Sequence, residues 1–369
     1  MVVASSSIYV KFLLLPWLFI APSVQGFNYL FQALVGEGSH FLAAAHLAEV
    51  LVHRGHNVTF IISSACSYHE TDPRWGSLFE FVVYENPHPD HAFRRTTNEF
   101  IARSFEEGIA EGQIKHYPKI LSTLALDCDS ILSNETLLTK LRDKHFNLLF
   151  YDDSWVCSQM LADKINLKTI LIHPSAYFGG MAGMLGASPG LSYTPLQLEN
   201  IPTPPLSFYN RLHSVVSLVY QGVMFSTQCL FLYEALREKH NVSRHLRVDE
   251  FIQSGVQLSL FNMDAEVEML VPLTPNIIPV GGLTTTPAQQ LPKELNKIME
   301  TVTEEGVVVF SLGSYVNNFP RRVQDVILEA FSRLPYQIFF KYDNKDNITL
   351  PPNVRVLKWL PLNDLLGKE

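Results

Sequence analysis

Cysteine is scarce in this chain: Cys66, Cys128, Cys157 and Cys229 are spread over 369 residues. That is too few and too scattered for the disulfide framework of a small secreted scaffold, and no two have the spacing of a metal-binding pair. Positive charge is also short, with 28 Lys and Arg against 36 Asp and Glu and a formal net charge of −8. A nucleic-acid binder carries a basic footprint, so no nucleic-acid partner is expected. Charged residues make up 17% and hydrophobic residues 47%. Such a chain is globular with sizeable cores, and its length suits two domains.

What is present is organised around Phe27 to Ser63, FNYLFQALVGEGSHFLAAAHLAEVLVHRGHNVTFIIS. Asn28 to Val35 reads as a strand and Gly36-Glu37-Gly38 as a flexible turn. Ser39 offers the hydroxyl of an N-cap. Ala44, Leu47, Ala48 and Leu51 recur at helical spacing. Gly55 suits the left-handed position that ends a helix, and Asn57 to Ile62 is the next strand. Strand, helix and strand at this length form a βαβ unit with parallel strands. The turn after the first strand then lies at the carboxyl edge of the sheet, where open α/β folds place their ligands. His40 stands on that turn. The positive end of the helix disfavours a protonated ring, which predicts a neutral imidazole near pH 7, the form a general base needs. The same residue also reads as a surface or packing histidine. G-x-G without a third glycine is a weak dinucleotide signal.

The amino terminus has the pattern of a signal peptide over residues 1–26: Lys11, an apolar run from Phe12 to Ala21, and a small-residue site at Val24-Gln25-Gly26. Entry into the secretory pathway agrees with N-x-S/T sequons at Asn57, Asn134, Asn241 and Asn347.

Further on, residues 64–100 are mixed and polar; His88 and His91 there read as loop histidines, since no fitting Cys or carboxylate set stands nearby. Residues 98–145 read as helical, with a break near Tyr117-Pro118. Phe146 to Tyr151 is compact enough for a buried parallel strand. Asp152-Asp153 follows, then a helix over Ser154 to Lys164 and a strand over Lys168 to Ile172. In one parallel sheet His40 and Asp152 share the carboxyl edge, as a base and its orienting carboxylate do. Either aspartate reads equally as a helix cap. His173 to Pro205 reads as a long loop, a wall for a pocket. Ser214 to Tyr233 lacks charge, but its glutamines and threonine favour a helix buried in the first domain, or one resting on a membrane surface, over a span. The prolines and glycines of 264–292 mark a linker between a domain at 27–263 and one at 293–369. The second region repeats the α/β rhythm: a strand at Val307 to Leu312, the turn Gly313-Ser314, a helix at Arg321 to Leu334, and strands at Tyr336 to Lys341 and Val354 to Leu357. Trp359 follows the last strand, where an aromatic face stacks on a base or fills a core.

Several of these stretches resemble one family in order. GEGSHFLAAAHLAEVLVHRGHNVTFI is similar to the first βαβ unit of the membrane-associated animal UDP-glucuronosyltransferases. FNLLFYDDSWVCSQMLADKINLKTILI resembles their second acidic strand end, PNIIPVGGL their interdomain segment, and GVVVFSLGSYV with NVRVLKWLPLNDLLG the opening of their nucleotide-sugar domain. The resemblance covers about residues 10 to 369.

It implies an α/β chain of GT-B fold with two Rossmann-like domains of parallel sheet, the second incomplete. By this resemblance His40 falls on the catalytic base and Asp152 on the carboxylate that orients it. Ser311, Gly313 and Ser314 fall on the donor loop, and Trp359 on the aromatic that stacks on uracil. The implied reaction is inverting transfer of a sugar, glucuronic acid by expectation, from a UDP-sugar to a hydroxyl of a small lipophilic acceptor. It takes place in the endoplasmic reticulum lumen, with no metal or other cofactor. Implied partners are the acceptor, the UDP-sugar, a membrane surface, and a second copy or a family member in an oligomer. Two departures stand out. Leu362 occupies a position the family fills with glutamine. The family also continues into a His-Gly-Gly helix start, an Asp-Gln pair and a membrane helix, so the chain is read as truncated, weakly active or inactive. A non-catalytic binder of acceptor or partner is the alternative.

Overall fold

The computed structural model describes residues 26–367 except 89–91, 175–184, 189, 195–204, 248–249, 252–253, 265, 269–271, 301, 303–305, 314, 317–319 and 343–347. Residues 1–25 of the stretch read as a signal peptide, His91, Ser314, Asn347 and most of the stretch 173–205 read as a loop lie outside the described residues.

The first sheet is built from β1 (Asn28–Gln32), β2 (Asn57–Ser63), β3 (Glu80–Tyr84), β4 (Leu148–Asp152), β5 (Lys168–His173), β6 (Val256–Phe261) and β7 (Ile277–Pro279). Its order is β3-β2-β1-β4-β5-β6-β7, and all pairs are parallel. The crossovers are α1 (Gly38–His53), α2 (Ala92–Glu107), α3 (Ile109–Lys115), α4 (Tyr117–Ser133), α5 (Glu135–Asp143), α6 (Cys157–Ile165) and α7 (Phe208–His240). Alternation along the strands gives the sheet two cores. Phe31, Phe60, Phe150 and Ile172 face Phe41 and the alanines of α1. Phe31 and Phe150 stack with centroids 4.5 Å apart. Leu30, Ile61, Leu149 and Leu171 face α4, α6 and the end of α7.

Gly55, at φ +87°, ends α1 in a Schellman motif: its N–H donates to the Val52 carbonyl and that of His56 to the Leu51 carbonyl. The break expected near Tyr117-Pro118 separates α3 from α4.

The structure departs from the sequence reading at several places. Residues 64–100 hold a 3-10 helix (Ser64–Thr71), the edge strand β3 and the start of α2. β3 is only five residues long, and its single buried face leaves a weak pattern. β7 continues the first sheet past Asp264, inside the stretch read as linker; a three-residue edge strand tolerates the prolines around it because its outer side needs no donor. α7 runs for 33 residues, and among its described side chains the C-terminal end is the part that conforms to a buried helix. Tyr233, Leu236 and Arg237 are buried, whereas Phe208, Leu212, Val216, Val219 and Val223 of its first half are exposed. Among the described residues no helix is long and apolar enough to cross a membrane. Finally, Cys128 and Cys157 form a disulfide between α4 and the first residue of α6, Cα atoms 5.4 Å apart. They are 29 residues apart in sequence, a spacing that carries no signal. Cys66 is a buried free thiol.

The second sheet has order β10-β9-β8, all parallel, from β8 (Val307–Phe310), β9 (Gln337–Lys341) and β10 (Val354–Leu357). One side is covered by α9 (Arg321–Ser332) through Leu328 and Phe331. The other is covered by α8 (Lys293–Met299) and α10 (Leu362–Leu366) through Leu295 and Leu365.

Candidate active site

β1 ends at Gln32 and the chain turns through Gly36, whose φ of +96° favours glycine. A Cβ there would also meet the Ile62 side chain at 3.0 Å. The helix starts two residues earlier than the sequence suggests: Glu37, not Ser39, takes the extended N-cap conformation (φ −109°, ψ 151°) and makes no side-chain cap. Its carboxylate turns inward and accepts from Arg94 Nε at 3.3 Å. Ser39 is an exposed residue of the first turn.

His40 follows on that turn. The parallel register sets Gln32 beside Tyr151, so Asp152 sits one step further at the same edge. His40 Nδ1 lies 2.5 Å from Asp152 Oδ2. Asp152 is buried, and its Oδ1 accepts the Ser154 N–H at 2.8 Å. The next helix begins only at Cys157, with Val156 at its N-cap and no side-chain cap, so neither aspartate caps it: one oxygen of Asp152 holds the turn and the other meets the ring. With Nδ1 turned to the carboxylate, Nε2 is the open ring nitrogen, and the side chain is 24% exposed.

The electrostatics differ from the sequence expectation. Burial lowers the basicity of His40, but the charge and hydrogen bond of Asp152 and the charge of Asp153 together outweigh it, so its pKa is raised. The helix start does stand beside the ring, but the hydrogen-bonded carboxylate of Asp152 and the charge of Asp153 outweigh half a unit of dipole charge. The result is a stronger base that holds its proton to higher pH.

A second pair stands beside the first. Asp153 points to the opposite face of the sheet and meets Nδ1 of His173, the last residue of β5. Burial raises the pKa of Asp153 against the opposing His173 contact. The His173 ring also meets that of Phe261 at a tilt of 41°, centroids 4.7 Å apart. Sequence reasoning missed this pair. Asp127 was missed too. It lies on the inward face of α4 with Leu124, Cys128 and Ile131, is 1% exposed, and its Oδ1 has no partner. Burial pushes its carboxyl up to about 7.

In the second region, the loop after β8 is shaped by Gly313 at φ +80°. Its N–H donates to Ser311 Oγ at 3.3 Å, and its carbonyl accepts from Lys341 Nζ at 2.7 Å. Lys341 is buried and unheralded in the sequence. Ser314 lies outside the described residues. Trp359 is 66% exposed just after β10, so it presents an open ring rather than a core side chain. The loop reaches the first domain through Tyr315, whose ring meets that of Phe93 edge-on at 6.1 Å. Among the described residues no three His, Cys, Asp or Glu side chains converge as a metal-ligand set.

Comparison with known proteins agrees with this architecture. UDP-glucuronosyltransferase 2A3 of Cavia porcellus is 30% identical over 351 residues, and UDP-glucuronosyltransferase 2A1 of Rattus norvegicus is 29% identical over 344. Each match covers 90% of this chain and 63% of the relative, so the chain spans under two thirds of their length. Among solved structures, the glycosyltransferase of kitacinnamycin superposes with a TM-score of 0.53 at 16% identity, over 91% of this chain and 72% of that one. The glycosyltransferase VinC, in complex with dTDP, gives 0.52 at 15%, over 92% and 73%. These neighbours are GT-B glycosyltransferases, which assigns the fold. Residues 32–369 match the family model of the UDP-glucoronosyl and UDP-glucosyl transferases, and the chain belongs to that family.

Proposed function

We propose that this protein transfers a sugar from a UDP-sugar to a hydroxyl of a small lipophilic acceptor, with His40 as general base. The observation that carries the reading is the His40–Asp152 pair at the carboxyl edge of the first sheet, its carboxylate buried and its ring part-exposed, on the side reached by the loop that ends at Tyr315. The acceptor proton passes to His40 Nε2 as its oxygen bonds to the anomeric carbon. The bond from that carbon to the diphosphate breaks on the opposite face, so configuration inverts. Asp152 holds the ring and balances the imidazolium charge. Ser311, Gly313 and Ser314 supply loop donors and a hydroxyl to the nucleotide side, and Trp359 stacks on the uracil. No metal or cofactor is assigned a step. Glucuronic acid is the proposed sugar and the endoplasmic reticulum lumen the proposed site, in keeping with the names of the relatives and the leader pattern.

Incubation with UDP-glucuronic acid and a panel of phenols and steroids, with mass-spectrometric detection of conjugates, tests the reading. Conjugates are expected from the wild type. His40→Ala is expected to lose about 10²–10⁴ in rate with unchanged circular dichroism. Near wild-type turnover in that variant removes His40 from the mechanism.

A further inference from the structure

Arg94, near the start of α2, occupies a place that the proposed mechanism does not use. Phe93, beside it, is buried, while the Arg94 side chain is 44% exposed. Its Nε is fixed by the Glu37 carboxylate at 3.3 Å, and the Glu37 side chain is only 5% exposed. A carboxylate that deeply buried demands a charged partner, so Glu37 sets the plane of the guanidinium. With Nε engaged, the end-on edge carrying both Nη atoms remains, and neither makes a hydrogen bond among the described residues.

Three elements meet at this point. Glu37 is three residues before His40 on the same turn. The donor loop arrives through Tyr315, edge-on to Phe93, with a buried hydroxyl that has no partner. Arg94, Glu37 and Asp152 all lie within electrostatic range of that hydroxyl. The guanidinium edge therefore sits where the base, the helix start and the nucleotide loop converge. Two parallel N–H groups in a fixed plane match a carboxylate in bidentate fashion, a geometry that a neutral hydroxymethyl group does not reproduce.

We propose that Arg94, oriented by Glu37, is the specificity-determining residue that recognises a carboxylate on the donor sugar, so that this protein prefers a uronic acid nucleotide over its neutral hexose counterpart. The assignment rests on the donor-binding reading above. The diphosphate is also an oxyanion, and the test separates the two sources.

Titration calorimetry of the wild-type chain and Arg94→Gln with UDP-glucuronic acid, UDP-glucose and UDP provides the test. The wild type is expected to bind UDP-glucuronic acid about tenfold more tightly than UDP-glucose, as one charge-assisted bidentate contact allows. Arg94→Gln is expected to abolish that difference and leave UDP-glucose and UDP unchanged. Arg94→Lys keeps the charge without the fork and is expected to restore only part of it. Because Arg94→Gln strands a buried carboxylate, the double variant Glu37→Gln/Arg94→Gln is measured alongside, with the same expected loss. A wild type without carboxylate preference, or a preference that survives both variants, overturns the proposal. Equal weakening of all three nucleotides overturns it in favour of diphosphate recognition. Failure of the wild type to bind any of the three overturns the donor-binding reading itself.

Discussion

Asp127→Asn is a perturbation whose size follows from burial. The Asp127 carboxyl is 1% exposed, one oxygen lacks a partner, and its pKa stands at about 7, against roughly 3.9 in an unfolded chain. The folded state therefore holds a proton that the unfolded state has released between about pH 4 and pH 7. Over that window stability falls as pH rises, by about 1.4 kcal/mol per unit, and the whole contribution is about 4 kcal/mol. About 2.5 kcal/mol of it falls between pH 5 and pH 8 when both titrations are included. Asparagine has the same shape and does not titrate, so the difference in unfolding free energy between wild type and variant should shift by that amount across the same interval. The comparison across pH cancels the fixed cost of seating an amide there. Urea titrations at several pH values, followed by tryptophan fluorescence, measure it. Trp155 is a suitable reporter, since it is fully buried and its indole N–H donates to the Leu124 carbonyl one turn before Asp127. Parallel pH profiles for the two proteins would refute the account and require that solvent or a cation reaches this carboxylate.

The remaining predictions concern the site. Asp152→Asn is expected to lower kcat far more than it raises the acceptor KM, because the carboxylate acts on the ring and its developing charge; Asp153→Asn, which faces the other side of the sheet, should cost less, and the reverse order would mean that the wrong aspartate has been assigned. Since the carboxylates raise the pKa of His40, and the base works only when deprotonated, the acid limb of kcat/KM should lie above about 6.5 and move to lower pH in Asp152→Asn; an unmoved limb would separate the titration from His40. Trp359→Ala should weaken UDP binding by about 1–3 kcal/mol, the value of an aromatic–base stack, without altering the circular dichroism of this exposed position; unchanged affinity by calorimetry would remove the stacking role.

His40 and Asp152 were legible because a parallel sheet brings all its strand ends to one edge, so two local strand-to-helix turns suffice to place both residues. The glycine turn after β8, at Ser311 and Gly313, was legible for the same local reason. What the sequence hid depends on distant pairing. Glu37 displaces Ser39 as the N-cap because its carboxylate has Arg94 to meet, 57 residues on. His173 at a strand end looked like any other loop entrance until Asp153 was seen to point to its face. The Cys128–Cys157 bond depends on α4 and α6 lying side by side, which no spacing announces. The downward pull on the His40 pKa expected from the helix dipole is outweighed, because a partial charge loses to full carboxylate charges at close range.

The disulfide also bears on how the chain reaches this state. It closes a ring of polypeptide holding α5, β4 and the turn that carries Asp152 and Asp153, and Cys157 opens α6 directly behind that turn. In the folded chain the two sulfurs meet where β4 lies between β1 and β5 and the turn closes over its end. The bond thus ties the turn that carries Asp152 to the helix behind it. Cys66 is sealed at the end of β2 with no exposed surface, and Cys128 and Cys157 are equally sealed, so thiol exchange has no entry once folding is complete. A chain that reacts with a thiol probe at Cys128 or Cys157 is one in which this buried bond has not closed.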